Sequence, residues 1–250
     1  MMRLFVASWW LQLRLLSRSP FFLGMAVTTP IAYCTVAVLM SGGQATARAV
    51  IGAGLMGAWS TTLFGAAEAL FMQRFSGTLE LLIGAPRSLV APVLGFAGAT
   101  VSLGLYSSAA SWLWATCVLG VSSEGVDWPS LLAGLALSFV SLTAIGFLLA
   151  GVYVVTRKGI EITNVMEYPI WVVCGVLVPA AALWGPLQLV GRLLPLGWSM
   201  EVVDAATHGG DALQAAGPAV LLSAGYLAAG VVLLKRIDLL ARTRGTLRLR

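Results

Sequence analysis

The chain has very few charged residues for its length. Only 10% of its 250 residues are Asp, Glu, Lys or Arg, whereas a soluble domain averages about 25%. So low a charge does not fit a disordered chain, a nucleic-acid-binding domain or a cytosolic enzyme. The composition therefore excludes these soluble classes and favours a membrane protein.

The residues that usually carry catalytic or metal chemistry are also scarce. There is one histidine, His208, and the three cysteines all lie in apolar runs, so we expect neither a disulfide framework nor a metal site. The two lysines, Lys158 and Lys235, are followed by Gly159 and Arg236. A P-loop lysine is followed by Ser or Thr. We therefore expect that the chain is not an enzyme and does not hydrolyse ATP itself.

Long apolar runs make up most of the chain. Hydrophobic residues account for 59% of it, and the mean hydropathy is +0.92. A helix needs about 20 apolar residues to cross a bilayer, and six runs are long enough. They are Phe21–Met40, Ala49–Met72, Leu89–Gly120, Ser130–Val155, Val165–Trp184 and Ala216–Leu234. The pattern predicts an all-α integral membrane protein, with residues 1–250 in a single transmembrane domain and a six-span bundle over 21–234.

The distribution of basic residues predicts the orientation of these spans. Cytosolic loops collect Lys and Arg. If the N-terminus is inside, thirteen of the 15 basic residues are cytosolic, and only Arg48 and Arg192 lie outside. We therefore predict that both termini are cytosolic, with residues 235–250 as a basic tail beside anionic lipid. The expected location is the plasma (inner) membrane.

Two apolar segments do not have the pattern of a span. Residues 1–20 place Arg3, Arg14 and Arg18 on one arc of a helix with most Leu, Phe and Trp residues elsewhere, which predicts an amphipathic helix lying at the membrane interface. The segment Gly185–Ala215 contains two prolines and only short apolar runs. It is expected to form short re-entrant or surface helices on the outer face, before the last span.

The cytosolic loop 74–87 has the pattern of a short helix. Gly77 can cap it, Glu80 lies in its first turn where the helix dipole favours an anion, and Gly84 and Pro86 end it. About two turns of amphipathic helix would then face the cytosol. On these residues alone, an ordinary turn lying on lipid fits equally well.

The same loop carries a resemblance to a known family. The run Gly77-Thr78-Leu79-Glu80-Leu81-Leu82-Ile83-Gly84-Ala85-Pro86 resembles the Gly-Thr-Leu-Glu-Leu-Leu-x-x-x-Pro loop of ABC-2 type exporter permeases, the drug and polysaccharide export family. The likeness extends along nearly the whole chain, from the amphipathic N-terminal helix to the proline-bearing segment before the last span. Cys174 stands where the family often has serine.

The resemblance implies how the chain would work. Two permease subunits, identical or paralogous, would form a translocation path, and separate ATP-binding-cassette subunits would bind ATP and magnesium. The residues that correspond to the family's coupling helix are Gly77, Thr78, Leu79, Glu80, Leu82, Ile83 and Pro86. The N-terminal helix, with Arg14 and Arg18, would be a second contact with the ATPase. Membrane lipids are the other expected partner, and nucleic acid is not expected.

Polar residues within the predicted spans leave other functions open. Thr28, Tyr33, Thr61 and Glu68 are candidates for lining the path, since ionisable residues inside membranes are costly and tend to be functional. Glu68 and Glu167 are both expected near the cytosolic interface, where an ion pair, such as Glu68 with a nearby arginine, is the simpler reading. A self-sufficient proton-coupled transporter or channel using Glu68 is the alternative function, and a membrane scaffold without transport is a third.

Overall fold

A computed structural model describes residues 2–40, 47–75, 77, 88–121, 126–156, 159–176 and 183–244. These ranges contain nine helices and no strand, so the predicted all-α class is confirmed. The helices are α1 (Met2–Arg18), α2 (Pro20–Met40), α3 (Ala47–Phe75), α4 (Val90–Cys117), α5 (Trp128–Val155), α6 (Gly159–Val173), α7 (Gly185–Leu193), α8 (Pro195–His208) and α9 (Ala212–Arg244).

Five of the described helices are long and apolar enough to cross a bilayer. Their apolar windows are Pro20–Leu39, Ala47–Ala67, Val90–Cys117, Trp128–Val155 and Ala212–Leu240. They correspond to the first four predicted spans and the last one. The chain is therefore a multi-pass membrane protein.

The fifth predicted span, Val165–Trp184, is wrong as one continuous helix. Helix α6 begins earlier, at Gly159, and ends at Val173, so its 15 residues cover only about 22 Å. Gly175 has a φ of 72°, its N–H bonds to the Val172 carbonyl, and the Val176 N–H bonds to the Trp171 carbonyl. This pair of bonds is the Schellman ending of a helix, which hydropathy does not register.

Helix α3 is the centre of the bundle and packs against α2, α4, α5 and α6. Glycines of α3, among them Gly52 and Gly54, allow this close packing. A Cβ atom on Gly54 would lie 2.8 Å from the Ser108 Cα atom of α4, and one on Gly52 would lie 2.6 Å from the Val176 carbonyl oxygen. Small residues at such contacts are the usual means by which membrane helices approach one another.

Helix α1 is confirmed as a separate helix, and it packs along α4. Only Ser19 separates α1 from α2, and Pro20 takes the first position of α2, where a missing N–H has no cost. The Trp9 indole N–H donates to the Ser102 hydroxyl at 3.0 Å. A Cβ atom on Gly95 would lie 2.8 Å from the Phe5 carbonyl oxygen. The backbones of α1 and α4 therefore touch.

The α3–α4 pair extends beyond the beginning of α2. Phe22 and Ala26, near the start of α2, pack in one cluster with Leu103 and Phe64. Helix α3 continues eleven residues past Phe64, which is about 16 Å at the helical rise. By the predicted orientation this extension points to the cytosol, and the loop between α3 and α4 is at its tip.

Helices α7 and α8 are the short helices that the sequence predicts before the last span. Each has a proline in its first turn. The Ser199 hydroxyl, near the start of α8, lies 2.9 Å from the Ser141 hydroxyl of α5. Ser141 is about 20 Å along α5 from the outer end of that helix at Trp128. At the other end of α8, the Ala206 carbonyl accepts a bond from the Asp127 N–H. Helix α8 therefore runs from the middle of α5 back to the outer end of α5, as one arm of a re-entrant hairpin.

Candidate functional site

Most of the predicted coupling residues lie outside the described part of the chain. Thr78, Leu79, Glu80, Leu82, Ile83 and Pro86 fall there, and so do the side chains of Glu68 and Arg74. Gly77 is described: it is exposed, with a φ of 69°, which suits glycine at the end of α3. Arg14 and Arg18 are exposed on α1, where a partner can reach them.

Two of the predicted path residues bond to their own helices. The Thr28 hydroxyl donates to the Gly24 carbonyl at 2.6 Å. The Thr61 hydroxyl donates to the Ala58 carbonyl at 3.0 Å, and Thr61 is fully buried. Such bonds back to the helix satisfy a hydroxyl in an apolar setting. Thr61 therefore has neither the exposure nor the free hydroxyl that a path-lining residue would need.

Glu167 lies deeper than the sequence suggested. Its carboxylate accepts a hydrogen bond of 2.7 Å from Ser60. Ser60 is the fourteenth residue of α3, about 20 Å from the outer end of that helix and about 10 Å before its apolar window ends at Ala67. The expected position at the cytosolic interface is therefore wrong, because α6 begins six residues before the predicted span. A half-buried carboxylate at this level is costly in a membrane and is a functional candidate.

Three aromatic side chains of α2 and α6 pack together near Glu167. Tyr33 packs edge-on against Trp171, with ring centroids 4.9 Å apart, and Tyr168 packs edge-on against the same ring at 5.1 Å. The Trp171 indole N–H is buried and has no hydrogen-bond partner among the described residues. Such an unpaired donor is rare in a finished core and is suited to a water or a polar ligand. Tyr33 is thus the predicted path residue that the fold brings to this site.

One face of α6 is uncovered along its length. Glu161, Asn164, Val165, Tyr168 and Pro169 are all exposed, at the spacing of one helical face. Three of these side chains are polar, which is unusual for a surface in contact with lipid tails. This face therefore needs either water or another protein against it.

A cavity of about 360 Å³, called here the outer cavity, lies between the end of α6 and the α7–α8 hairpin. Its lining residues are Val173, Cys174, Gln188, Gly191, Arg192, Gly197, Trp198 and Glu201. Burial raises the pKa of Glu201, the Arg192 charge lowers it, and the charge of Asp204 raises it. Among the described residues, an ion pair is seen between Arg48 and Asp204 but not between Arg192 and Glu201. These two charged side chains therefore line the same cavity without a direct contact.

The sequence pointed to Glu167 as a polar residue of a span, but it did not predict the pairing of Glu167 with Ser60. They are 107 residues apart along the chain, and no local spacing relates them. The sequence also indicated the outer cavity only weakly, through the presence of Arg192 and Glu201 in a proline-bearing segment outside the spans. The polar sites become visible only when α3, α6 and the hairpin are packed together.

Comparison with known proteins agrees with the resemblance read from the loop. The sequence profile of the ABC-2 type transporter family matches residues 3–207, a range that covers α1 to α8 apart from Met2 and His208. No curated protein matches the chain. Permeases of this family generally work with ATP-binding-cassette ATPase subunits. The chain belongs to the ABC-2 type transporter family, and it is a transmembrane permease component of such a transporter.

Proposed function

We propose that this permease is the membrane subunit of an ATP-driven exporter that couples to separate ATPase subunits through loop 74–87. The observation that carries the proposal is the extension of α3 past the beginning of α2 by about 16 Å. The described end of α3, at Phe75, leads directly into loop 74–87 on the side that the charge distribution predicts to be cytosolic. This extension supports the proposal that a cytosolic protein binds the loop and moves α3 and α4 with it.

The chemistry of the loop suits docking in a cleft of the partner. Leu79, Leu82 and Ile83 offer apolar surface, and burying each such side chain contributes about 1.5–3 kcal/mol. Glu80 is the only charge between Gly77 and Pro86 and would pair with a basic residue of the ATPase. Arg14 and Arg18 on α1 would supply the second contact. ATP and magnesium would then bind to the ATPase rather than to this chain.

The translocation path of the proposed exporter runs along the uncovered face of α6. Glu167 and Tyr168 lie beside this face at the level of the middle of α3, and the outer cavity begins where α6 ends. A second permease copy placed against this face would enclose the polar side chains between two bundles. Water in that space would remove the cost of the half-buried carboxylate.

Reconstitution with and without the ATPase tests this function. The purified permease should hydrolyse no ATP alone, since neither lysine has P-loop context. Together with its partner ATPase, the complex should hydrolyse ATP and move substrate out of the cytosolic side. ATP hydrolysis by the permease free of a second polypeptide would overturn the proposal.

A proton-coupled transporter remains the second candidate function, because Glu167 is a carboxylate within the apolar length of the bundle. The sequence suggested Glu68 for this role, whose side chain lies outside the described part. Proteoliposomes that hold the permease alone separate the two functions. Transport driven by a pH gradient without ATP favours this candidate, and transport that needs both ATPase and ATP favours the exporter.

A further inference from the structure

The outer cavity is built by two helices that offer charges of opposite sign. Gln188 and Arg192 are four residues apart on α7, and Trp198 and Glu201 are three residues apart on α8. Each pair therefore lies on one face of its helix, and both faces line the same cavity. The Trp198 indole N–H donates to the Arg192 carbonyl at 2.8 Å, which ties the two helices together at their turn.

The two charges are close enough to influence each other but do not pair in contact. The Arg192 charge lowers the pKa of Glu201. Their side chains nevertheless form no ion pair in the described part of the chain, where the ion pair observed is that of Arg48 with Asp204. Two unpaired charges of opposite sign in one cavity are complementary to a molecule that carries both signs. The volume of about 360 Å³ falls within the range of small-molecule sites, roughly 300–1,000 Å³.

We propose that the outer cavity binds the zwitterionic head group of a membrane amphiphile. Arg192 and Gln188 bind its anionic group, for which the guanidinium is the preferred partner in proteins. Glu201 binds its ammonium group, and the face of the Trp198 ring lies beside that cation. A purely anionic head group can also contact Arg192 and Gln188, but it has no cation for Glu201 and is repelled by that carboxylate.

The surface next to the cavity indicates an amphiphile rather than a free solute. Leu189 and Leu193 each directly follow one of the polar residues of α7, and they are 65% and 61% exposed. They form an uncovered apolar strip beside the charged cavity. A lipid can place its head group between α7 and α8 and its acyl chains along this strip. The proposal holds whether or not the permease couples to an ATPase.

Lipid competition on the purified permease tests the proposal. The full chain in maltoside micelles is given equal amounts of phosphatidylethanolamine and phosphatidylglycerol with identical acyl chains, and the retained lipids are counted by native mass spectrometry. We expect phosphatidylethanolamine to be retained about tenfold better, since a hydrogen bond to a charged group contributes at least that much. Equal retention of the two lipids in the wild type would overturn the proposal, whatever the variants do.

Matched variants locate the site. Glu201→Gln should remove the preference for phosphatidylethanolamine, and Arg192→Gln should weaken the binding of both lipids. Asp127→Asn is the control, because Asp127 is exposed at the start of α5 and its side chain makes no capping bond. Preference lost in the control, or kept in both cavity variants, would overturn the assignment to this cavity.

Glycerophosphoethanolamine, which has the head group without acyl chains, separates the two sources of the ligand. It should compete poorly with the intact lipid, because it cannot use the strip of Leu189 and Leu193. Competition equal to that of the lipid would show that the cavity takes a free zwitterionic solute and would overturn the lipid assignment.

Discussion

Arg48, in the first turn of α3, forms an ion pair with Asp204 of α8. The Arg48 side chain is 8% exposed, whereas that of Asp204 is 29% exposed. The guanidinium of Arg48 also donates to the Gly175 carbonyl at the end of α6. The Arg48 side chain thus joins α3, α6 and α8 at the outer end of the bundle. The start of α3 and the end of α8 therefore lie at the same end of the bundle, which agrees with the orientation predicted from the basic residues.

The unequal burial of this pair gives a directional prediction. Asp204→Asn leaves a buried, uncompensated guanidinium and should destabilise the protein by about 3 kcal/mol. Arg48→Met leaves a carboxylate that water can reach and should cost only about 1–2 kcal/mol. The double variant should be more stable than Asp204→Asn alone. Thermal unfolding of the four proteins in detergent measures this cycle, and additive losses would contradict a direct pairing.

Close packing at Gly54 is the second test. Gly54→Ala places a Cβ atom 2.8 Å from the Ser108 Cα atom, so α3 and α4 have to move apart, and we expect a clear fall in melting temperature. Gly225→Ala is the matched control, because nothing lies within 4 Å of a Cβ atom there and alanine is the better helix former by about 1 kcal/mol. Equal melting temperatures for Gly54→Ala and the wild type would contradict the observed helix contact.

If loop 74–87 couples the permease to an ATPase, assembly and transport should respond to different residues of the loop. Leu82→Asp should abolish co-purification with the ATPase, because a buried leucine contact is replaced by a charge. Glu80→Ala removes an ion pair at an exposed rim worth about 1 kcal/mol or less, so it should lower transport more than assembly. Leu213→Asp is the control, since Leu213 is 84% exposed at the other end of the bundle. Normal ATPase binding by Leu82→Asp would mean that the loop is an ordinary turn on lipid.

Glu167 gives a test of the path. Glu167→Gln keeps an acceptor for the Ser60 hydroxyl but removes the charge, so we expect normal folding and ATPase binding with transport reduced about tenfold or more. Ser60→Ala removes the hydrogen bond and keeps the charge, and it should have the smaller effect. Transport and ATP hydrolysis in proteoliposomes measure both variants. Wild-type transport in Glu167→Gln would exclude this carboxylate from the path.

Accessibility from outside tests the orientation. In a Cys117→Ser background, which removes the exposed native cysteine, a cysteine at Gln188 should react with an impermeant maleimide added outside. A cysteine at Ser199 should not react, because Ser199 is fully buried. Labelling of the Gln188 site only in inside-out vesicles would mean that the topology is inverted.

The spans were predictable where hydrophobic length alone decides the structure. Helices α2 to α5 and α9 are long apolar runs, and their existence follows from composition. The end of α6 was not predictable in this way, because apolar residues continue past Gly175 and only the left-handed backbone at that glycine ends the helix. The depth of Glu167 was missed for a separate reason, because α6 begins at Gly159, six residues before the predicted span, and the start of the helix sets the level of Glu167.

The candidate sites divide along a similar line. The loop run from Gly77 to Pro86 is a local pattern, so sequence alone could point to it. The pairing of Ser60 with Glu167 and the facing of Arg192 with Glu201 depend on the contacts of distant helices. A polar or charged residue within an apolar stretch can be recognised in the sequence as a candidate. Which candidates contact each other is known only from the packing of the helices.

The contact between α1 and α4 adds a third helix to the cytosolic extension of α3 and α4. Because Trp9 is hydrogen-bonded to Ser102 and the two backbones touch at Gly95, α1 is fixed to the part of α4 that follows loop 74–87. Helix α1 is in turn connected to α2 by the single residue Ser19. We therefore expect a displacement of the cytosolic ends of α3 and α4 to carry α1 with it and to reach the start of α2 through Ser19.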